Sequence, residues 1–244
     1  MIPPLLRNIP DPRGIGFDSL AAWLDERMAK LKKVHFSEGF LKSFAPFEWK
    51  EPCALPFGVE ASPVWRRLFL ATLLADWACY DRAASRVDFA RLKYVLSTAY
   101  PFARVWFGKL SDGTLAPVGY SLAYPLSKFV YEAARRTPET IRDRGVFLPA
   151  RGVKNDEIKY AYAFNISVIE PLRGTVCSQR MIRALQKDAA PFDLKGLMAV
   201  TVDAAGRKFS RLAGMDKIAE LTIGGEKEGL YAGTPRRAGG KSSD

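Results

Sequence analysis

The residues of this chain best suited to chemistry by type and spacing run from Ser167 to Leu185, SVIEPLRGTVCSQRMIRAL. A β-prone run ends in a turn holding Pro171 and Gly174, and an amphipathic run follows it. A helix that opens in such a turn presents N–H groups with no partner inside the helix, at the positive end of its dipole, and so attracts anions. Arg173 at the mouth of the turn adds a fixed positive charge and Ser178 a hydroxyl, a combination suited to a pyrophosphate.

Other groups able to move a proton lie close by in sequence. Tyr160 and Tyr162 share one face of the strand that leads into the turn, and Glu157 and Glu170 flank it. Gly119-Tyr-Ser121-Leu-Ala123 approximates the G-x-S-x-G elbow of α/β-hydrolases, but the single histidine, His35, precedes the serine, whereas that fold places it after. Ser121 therefore reads as a strand residue. Gly240-Lys241-Ser242 looks like the end of a phosphate-binding loop whose first glycine would be residue 235, which is Pro. Cys53, Cys79 and Cys177 are far apart, with only His35 to complete a ligand set, so no metal is expected.

The elements that must position the turn follow from pattern. Asp18 is placed to cap a helix in which Leu20, Trp23, Leu24, Met28 and Leu31 recur at helical steps. Residues 44–57 contain three prolines, Pro46, Pro52 and Pro56, and read as a linker or extended wrap. Ser62-Pro63 starts a helix with Val64, Leu68, Ala71, Leu74, Ala75 and Ala78 on one face, and 88–96 is a second, shorter helix. Residues 103–110 and 115–124 are aromatic and β-branched runs separated by Ser111-Asp-Gly-Thr114, the chemistry of a hairpin. Helical pattern covers 126–144, a loop 145–155, a strand 160–169 and a helix 174–187. A strand at 197–202, a short helix at 204–213 and closing strands at 218–223 and 229–232 complete an α/β order.

Composition bounds the partners. In 244 residues, 48% hydrophobic and 12% aromatic, there is apolar surface enough for one principal core in a folded, soluble protein. Lys and Arg number 37 against 26 Asp and Glu, a formal charge of +11, which favours a phosphorylated cofactor, nucleic acid or an acidic protein. The most hydrophobic stretch, 64–80, is interrupted by Arg66, Arg67 and Asp76, so no membrane span is expected. The Pro-rich start lacks the apolar core of a secretory signal, and together with the unpaired cysteines this places the chain in a reducing cytoplasm.

The 167–185 stretch resembles the coenzyme A motif of the GNAT superfamily, Q/R-x-x-G-x-G/A after the fourth strand. Arg173, Val176 and Ser178 stand in its three specified places, and Gly174 is the glycine that often follows the Arg. Residues 200–215, VTVDAAGRKFSRLAGM, are similar to the superfamily's fifth strand and following helix, with Asp203 where Asn is common. The resemblance implies an α/β fold: a GNAT-like mixed, mostly antiparallel central sheet flanked by helices, here with an N-terminal helical extension. On that basis 1–61 are the extension, 62–232 the GNAT-like acyltransferase domain and 233–244 a basic disordered tail.

By the same resemblance the activity is transfer of an acyl group from acetyl-CoA or another acyl-CoA, or from an acyl carrier protein, to an amine. Ile169, Arg173, Gly174, Thr175, Val176, Cys177, Ser178 and Asp203 would hold the donor. The amides of Val168 and Ile169 would receive the oxyanion, and Ser210, where many relatives carry a Tyr, would protonate the thiolate; from the residues themselves Tyr160 or Tyr162 would act as base through water. Val176 stands where Gly is usual. The alternative is a catalytically impaired GNAT-like module that binds nucleic acid or protein, with Arg104, Trp106, Phe107 and Lys109 as a basic and aromatic surface.

Overall fold

The computed structural model describes residues 4–13, 17–33, 38–48, 63–80, 86–87, 89–96, 102–150 and 153–235. His35, Cys53, most of the Pro-rich stretch, Gly240-Lys241-Ser242 and the tail beyond 235 lie outside them.

Helix α1 (Phe17–Leu31) turns Leu24, Met28 and Leu31 inward, the four- and three-residue steps of an amphipathic helix. Asp18 sits in its first turn rather than ahead of it. A short helix α2 (Glu38–Ser43) leads into strand β1 (Ala45–Glu48), which pairs antiparallel with β2 (Ala103–Lys109). The 44–57 stretch is thus not all linker, and the sheet begins before residue 62. Pro46 cannot donate to a ladder, which is tolerable because β1 is an edge strand.

Helix α3 (Pro63–Cys79) starts at the proline expected to start it. Leu68 to Ala75 are buried without interruption, so the helix lies inside its unit rather than on its surface. Arg66 near its start is buried and forms a bidentate ion pair with Asp11 at 2.6 and 2.7 Å, which holds that carboxyl well below its usual range. Helix α4 (Phe89–Leu96) follows. Strands β2 and β3 (Leu115–Pro125) are joined through Gly113, whose N–H bonds to Leu110 O at 2.9 Å. Nearly every residue of β3 is buried, as a strand covered on both faces requires.

Helix α5 (Lys128–Arg136) is half the length its pattern predicts. Ser127 caps it by accepting the Val130 N–H, and Pro138 stops it, since proline carries no N–H to continue the ladder. The charged remainder becomes two single turns, Pro138–Thr140 and Arg144–Val146. Then come β4 (Tyr160–Val168), α6 (Val176–Ala189), β5 (Gly196–Thr201), α7 (Ala204–Leu212), β6 (Asp216–Ile223) and β7 (Glu226–Gly233).

The seven strands form one sheet in the order β1-β2-β3-β4-β5-β7-β6. β4 and β5 are parallel, and α6 is the crossover helix such a pair needs. β7 is antiparallel to both its neighbours. The chain divides into two compact units. One comprises the described residues up to Ser121 with Ser167–Gln179, and the other comprises Leu122–Ile166 with those from Arg180 onward. Among the described residues no helix is long and apolar enough to cross a membrane.

Candidate functional site

In the first unit β4 ends at Val168, and the Ile169 N–H donates to Val118 O at 2.9 Å. Close approach of the strands is possible here because residue 119 is glycine: a Cβ on it would meet Ser167 O at 2.6 Å. A single turn, Glu170–Leu172, begins with Pro171 near its start, and Gly174 then takes a positive φ of 72°. Nothing lies within 4 Å of a Cβ built on Gly174, so the glycine is there for its backbone angle rather than for space.

Thr175 caps helix α6. Its Oγ1 accepts the Cys177 N–H at 3.2 Å and donates to Leu172 O at 2.6 Å. Val176 and Ser178 supply the neighbouring first-turn amides that the helix itself cannot pair. Val176 is 38% exposed and begins the α-helix; the positive φ that would strain a β-branched residue falls on Gly174 instead. What remains of the Gly-to-Val difference is the bulk of two methyl groups on the open side of the turn.

Two side chains and one backbone amide are already engaged within the unit. The Ser178 hydroxyl donates to Leu172 O at 3.2 Å and braces the turn, leaving its amide, not its O–H, for a ligand. The Arg173 guanidinium donates to Cys79 O at 2.6 Å and to Val168 O at 3.4 Å, tying the turn to the end of α3. The remaining N–H groups of its fork are what an anion would meet. Of the two amides expected to serve the oxyanion, that of Ile169 is engaged by Val118 O.

A cluster that the sequence reading did not assemble surrounds this turn within the same unit. Asp76 on α3 is fully buried. It accepts a 2.5 Å hydrogen bond from the Tyr120 hydroxyl and a 2.8 Å bond from the Val87 N–H. Burial pushes its carboxyl up to about 6, against the lowering effect of Tyr120, Val87 and Arg86. One turn on, the Tyr80 hydroxyl shares a hydrogen bond of 2.8 Å with Ser167 Oγ. The buried Cys79 thiol is pushed up by desolvation and the Asp76 charge, so it is no nucleophile. The signal in the sequence was Asp76 itself, a carboxylate in an otherwise apolar helix, which burial obliges to find donors. Ser121 is fully buried in β3 and accepts the Trp106 indole N–H at 3.3 Å, the strand role expected of it.

The remaining candidates belong to the second unit. Tyr162 is buried, its ring stacked on Phe147 with centroids 4.7 Å apart and tilted against Tyr124 at 5.4 Å. Asp203 caps α7 by accepting the Gly206 N–H at 2.7 Å. Ser210 is fully buried, and among the described residues its hydroxyl has no hydrogen-bond partner. A hydroxyl sealed in this way is not placed to hand a proton to a thiolate. β4 and β5 share register over Tyr160–Tyr162 and Gly196–Met198, while β4 runs on to Val168 and β5 to Thr201.

This arrangement of strands and helices is the GNAT fold. The chain is similar to a chain of the NatC complex bound to Gag peptide and CoA, at 11% identity and a TM-score of 0.51, covering 80% of this chain and 99% of that one. It is also similar to the loading GNATL domain of CurA from Lyngbya majuscula, at 9% identity and a TM-score of 0.50, covering 78% and 97%. No family model and no curated protein sequence matches the chain.

Proposed function

We propose that this protein is an acyltransferase that moves an acyl group from an acyl-CoA to an amine. The observation that carries the reading is the turn after β4, in which Gly174 at positive φ opens helix α6 beside Arg173 on a GNAT sheet. Phosphate oxygens of the donor would meet the Val176 and Ser178 amides and the free part of the Arg173 fork. The Val168 amide would receive the oxyanion as the amine attacks, a stabilisation that acts only as charge develops. An acyl carrier protein as donor keeps the same thioester while dispensing with the nucleotide, and the exposed Val176 methyls at the helix start are compatible with it. Cys79 and Cys177 are buried and in no disulfide, which fits the reducing cytoplasm expected for the chain.

The burial of Ser210 favours a second reading, a GNAT-like module that binds nucleic acid or protein and does no chemistry. A ligand screen separates the two. Under the first reading an acyl-CoA raises the melting temperature, by about 2.7 kcal/mol of stabilisation at a hundredfold excess over its dissociation constant. No shift with acetyl, medium or long acyl chains, together with tight, salt-sensitive binding of DNA or RNA, would replace it with the second.

A further inference from the structure

The end of α3 is held from four directions at once. Asp76 takes the Tyr120 hydroxyl from β3 and the amide of Val87. Arg86 donates to Tyr80 O at 3.0 Å and lies over the Trp77 ring. Cys79 O takes the Arg173 guanidinium, and the Tyr80 hydroxyl meets Ser167 Oγ at 2.8 Å. Of these groups Asp76 and Tyr120 are sealed, whereas Tyr80 is part-exposed. Ser167 directly precedes Val168, whose amide the acyltransferase reading assigns to the oxyanion, so the hydroxyl pair is one residue along the strand from that amide.

Resting on the acyltransferase reading, we infer that Tyr80, paired with Ser167, is the proton-transfer residue of the reaction, in place of the buried Ser210. Two hydroxyls that share one hydrogen bond can carry its proton in either direction, since each is both donor and acceptor. The step balances without a co-reactant. The amine nitrogen adds to the thioester carbonyl carbon, and the C–S bond breaks as the carbonyl re-forms. The Tyr80 O–H gives its proton to the departing sulfur, and the phenolate recovers one from the new amide nitrogen, directly or through Ser167 Oγ. Asp76 and Tyr120 are positioning residues: they fix the last turn of α3 so that Tyr80 faces the end of β4.

The test uses the full chain with the acyl-CoA that gives the largest thermal shift and a panel of primary amines. Tyr80→Phe keeps the ring and removes the proton, and Ser167→Ala removes the partner and keeps the tyrosine. The expected result for Tyr80→Phe is a fall in kcat of about 10²-fold, with the donor dissociation constant and the KM for the amine unchanged. Ser167→Ala should lower kcat by a smaller factor in the same pattern. If the wild type transfers acyl groups and Tyr80→Phe keeps its kcat within about twofold, Tyr80 is not the proton-transfer residue, while the acyltransferase reading stands. A fall in donor affinity in step with kcat would show that Tyr80 only shapes the turn, and would also overturn the inference. If the wild type binds no acyl-CoA at all, the inference falls together with the reading it rests on.

Discussion

Each unit of this protein buries a polar side chain, and the two are treated in opposite ways. In the first unit both carboxylate oxygens of Asp76 accept hydrogen bonds, from Tyr120 and from the Val87 amide. In the second unit the Ser210 hydroxyl is as deeply buried, yet has no partner among the described residues. A buried polar group costs roughly 1–3 kcal/mol when left unpaired, more when charged. The chain therefore spends hydrogen bonds at the end of α3 and none at Ser210. Hydrogen bonds fix direction, so the region where they are concentrated is the one whose geometry is constrained, and it lies at the β4 turn.

The largest expected effect is on Asp76. Its carboxyl, at about 6 in the folded protein against an ordinary 3.8, binds a proton more readily folded than unfolded. Stability from this group is therefore present below about pH 4 and is lost as the pH rises through the folded value, a loss of about 3 kcal/mol at most. Asp76→Asn can accept from Val87 and donate to the Tyr120 oxygen, keeping both contacts without a charge. Urea midpoints at pH 4 and pH 7 should fall for the wild type and stay level for the variant. Equal pH slopes in the two proteins would mean that Asp76 is not held as a costly charge, and the contrast with Ser210 would lose one side.

Arg173→Ala should cost about 1–3 kcal/mol of stability in chemical denaturation, because it strips donors from the carbonyls of Cys79 and Val168. It should also weaken donor binding. If donor affinity falls at unchanged stability, the guanidinium serves the ligand alone and the turn is not braced through it. Gly174→Ala is expected to cost about 1–2 kcal/mol, the penalty for a Cβ at positive φ, with no steric contribution since the space around it is open. No loss would mean that the turn relaxes to a negative φ.

Much of this architecture was legible in the chain. The hairpin of β2 and β3, the Pro63 start of α3 and the strand, turn and helix from 160 to 189 follow local rules of period, capping and turn residues, so their bounds came within a few positions. The turn after β4 was legible for the same reason: Gly174 and the helix after it are a local pattern. β1 was not, because four residues with a proline carry no period and become a strand only through β2. Helix α5 was read too long because charged residues fit a helical pattern while Pro138 ends it. The burial of Ser210 and Tyr162 was not legible, because burial is a tertiary property. Tyr80 and Ser167 were missed because they are 87 positions apart, and only the packing of α3 against the strands joins them.

The smallest effect is expected at Ser210 and tests the other side of the contrast. Ser210→Ala removes an unpaired buried hydroxyl and leaves a space smaller than a methyl group in helix α7. The desolvation cost of the hydroxyl is recovered, on the order of 1 kcal/mol, and a small loss of contact opposes it. Alanine is also the better helix former, by a few tenths of a kcal/mol. The sum is a stability unchanged or raised by up to about 1 kcal/mol, read from the denaturation midpoint at constant slope. Turnover should be unaffected, because a sealed hydroxyl cannot reach a leaving sulfur. A loss of more than about 1 kcal/mol would show that the hydroxyl has a partner such as a buried water. A fall in turnover at unchanged stability would return Ser210 to the chemistry and displace Tyr80 from it. With the Asp76 result, these outcomes decide which unit holds the proton-transfer group.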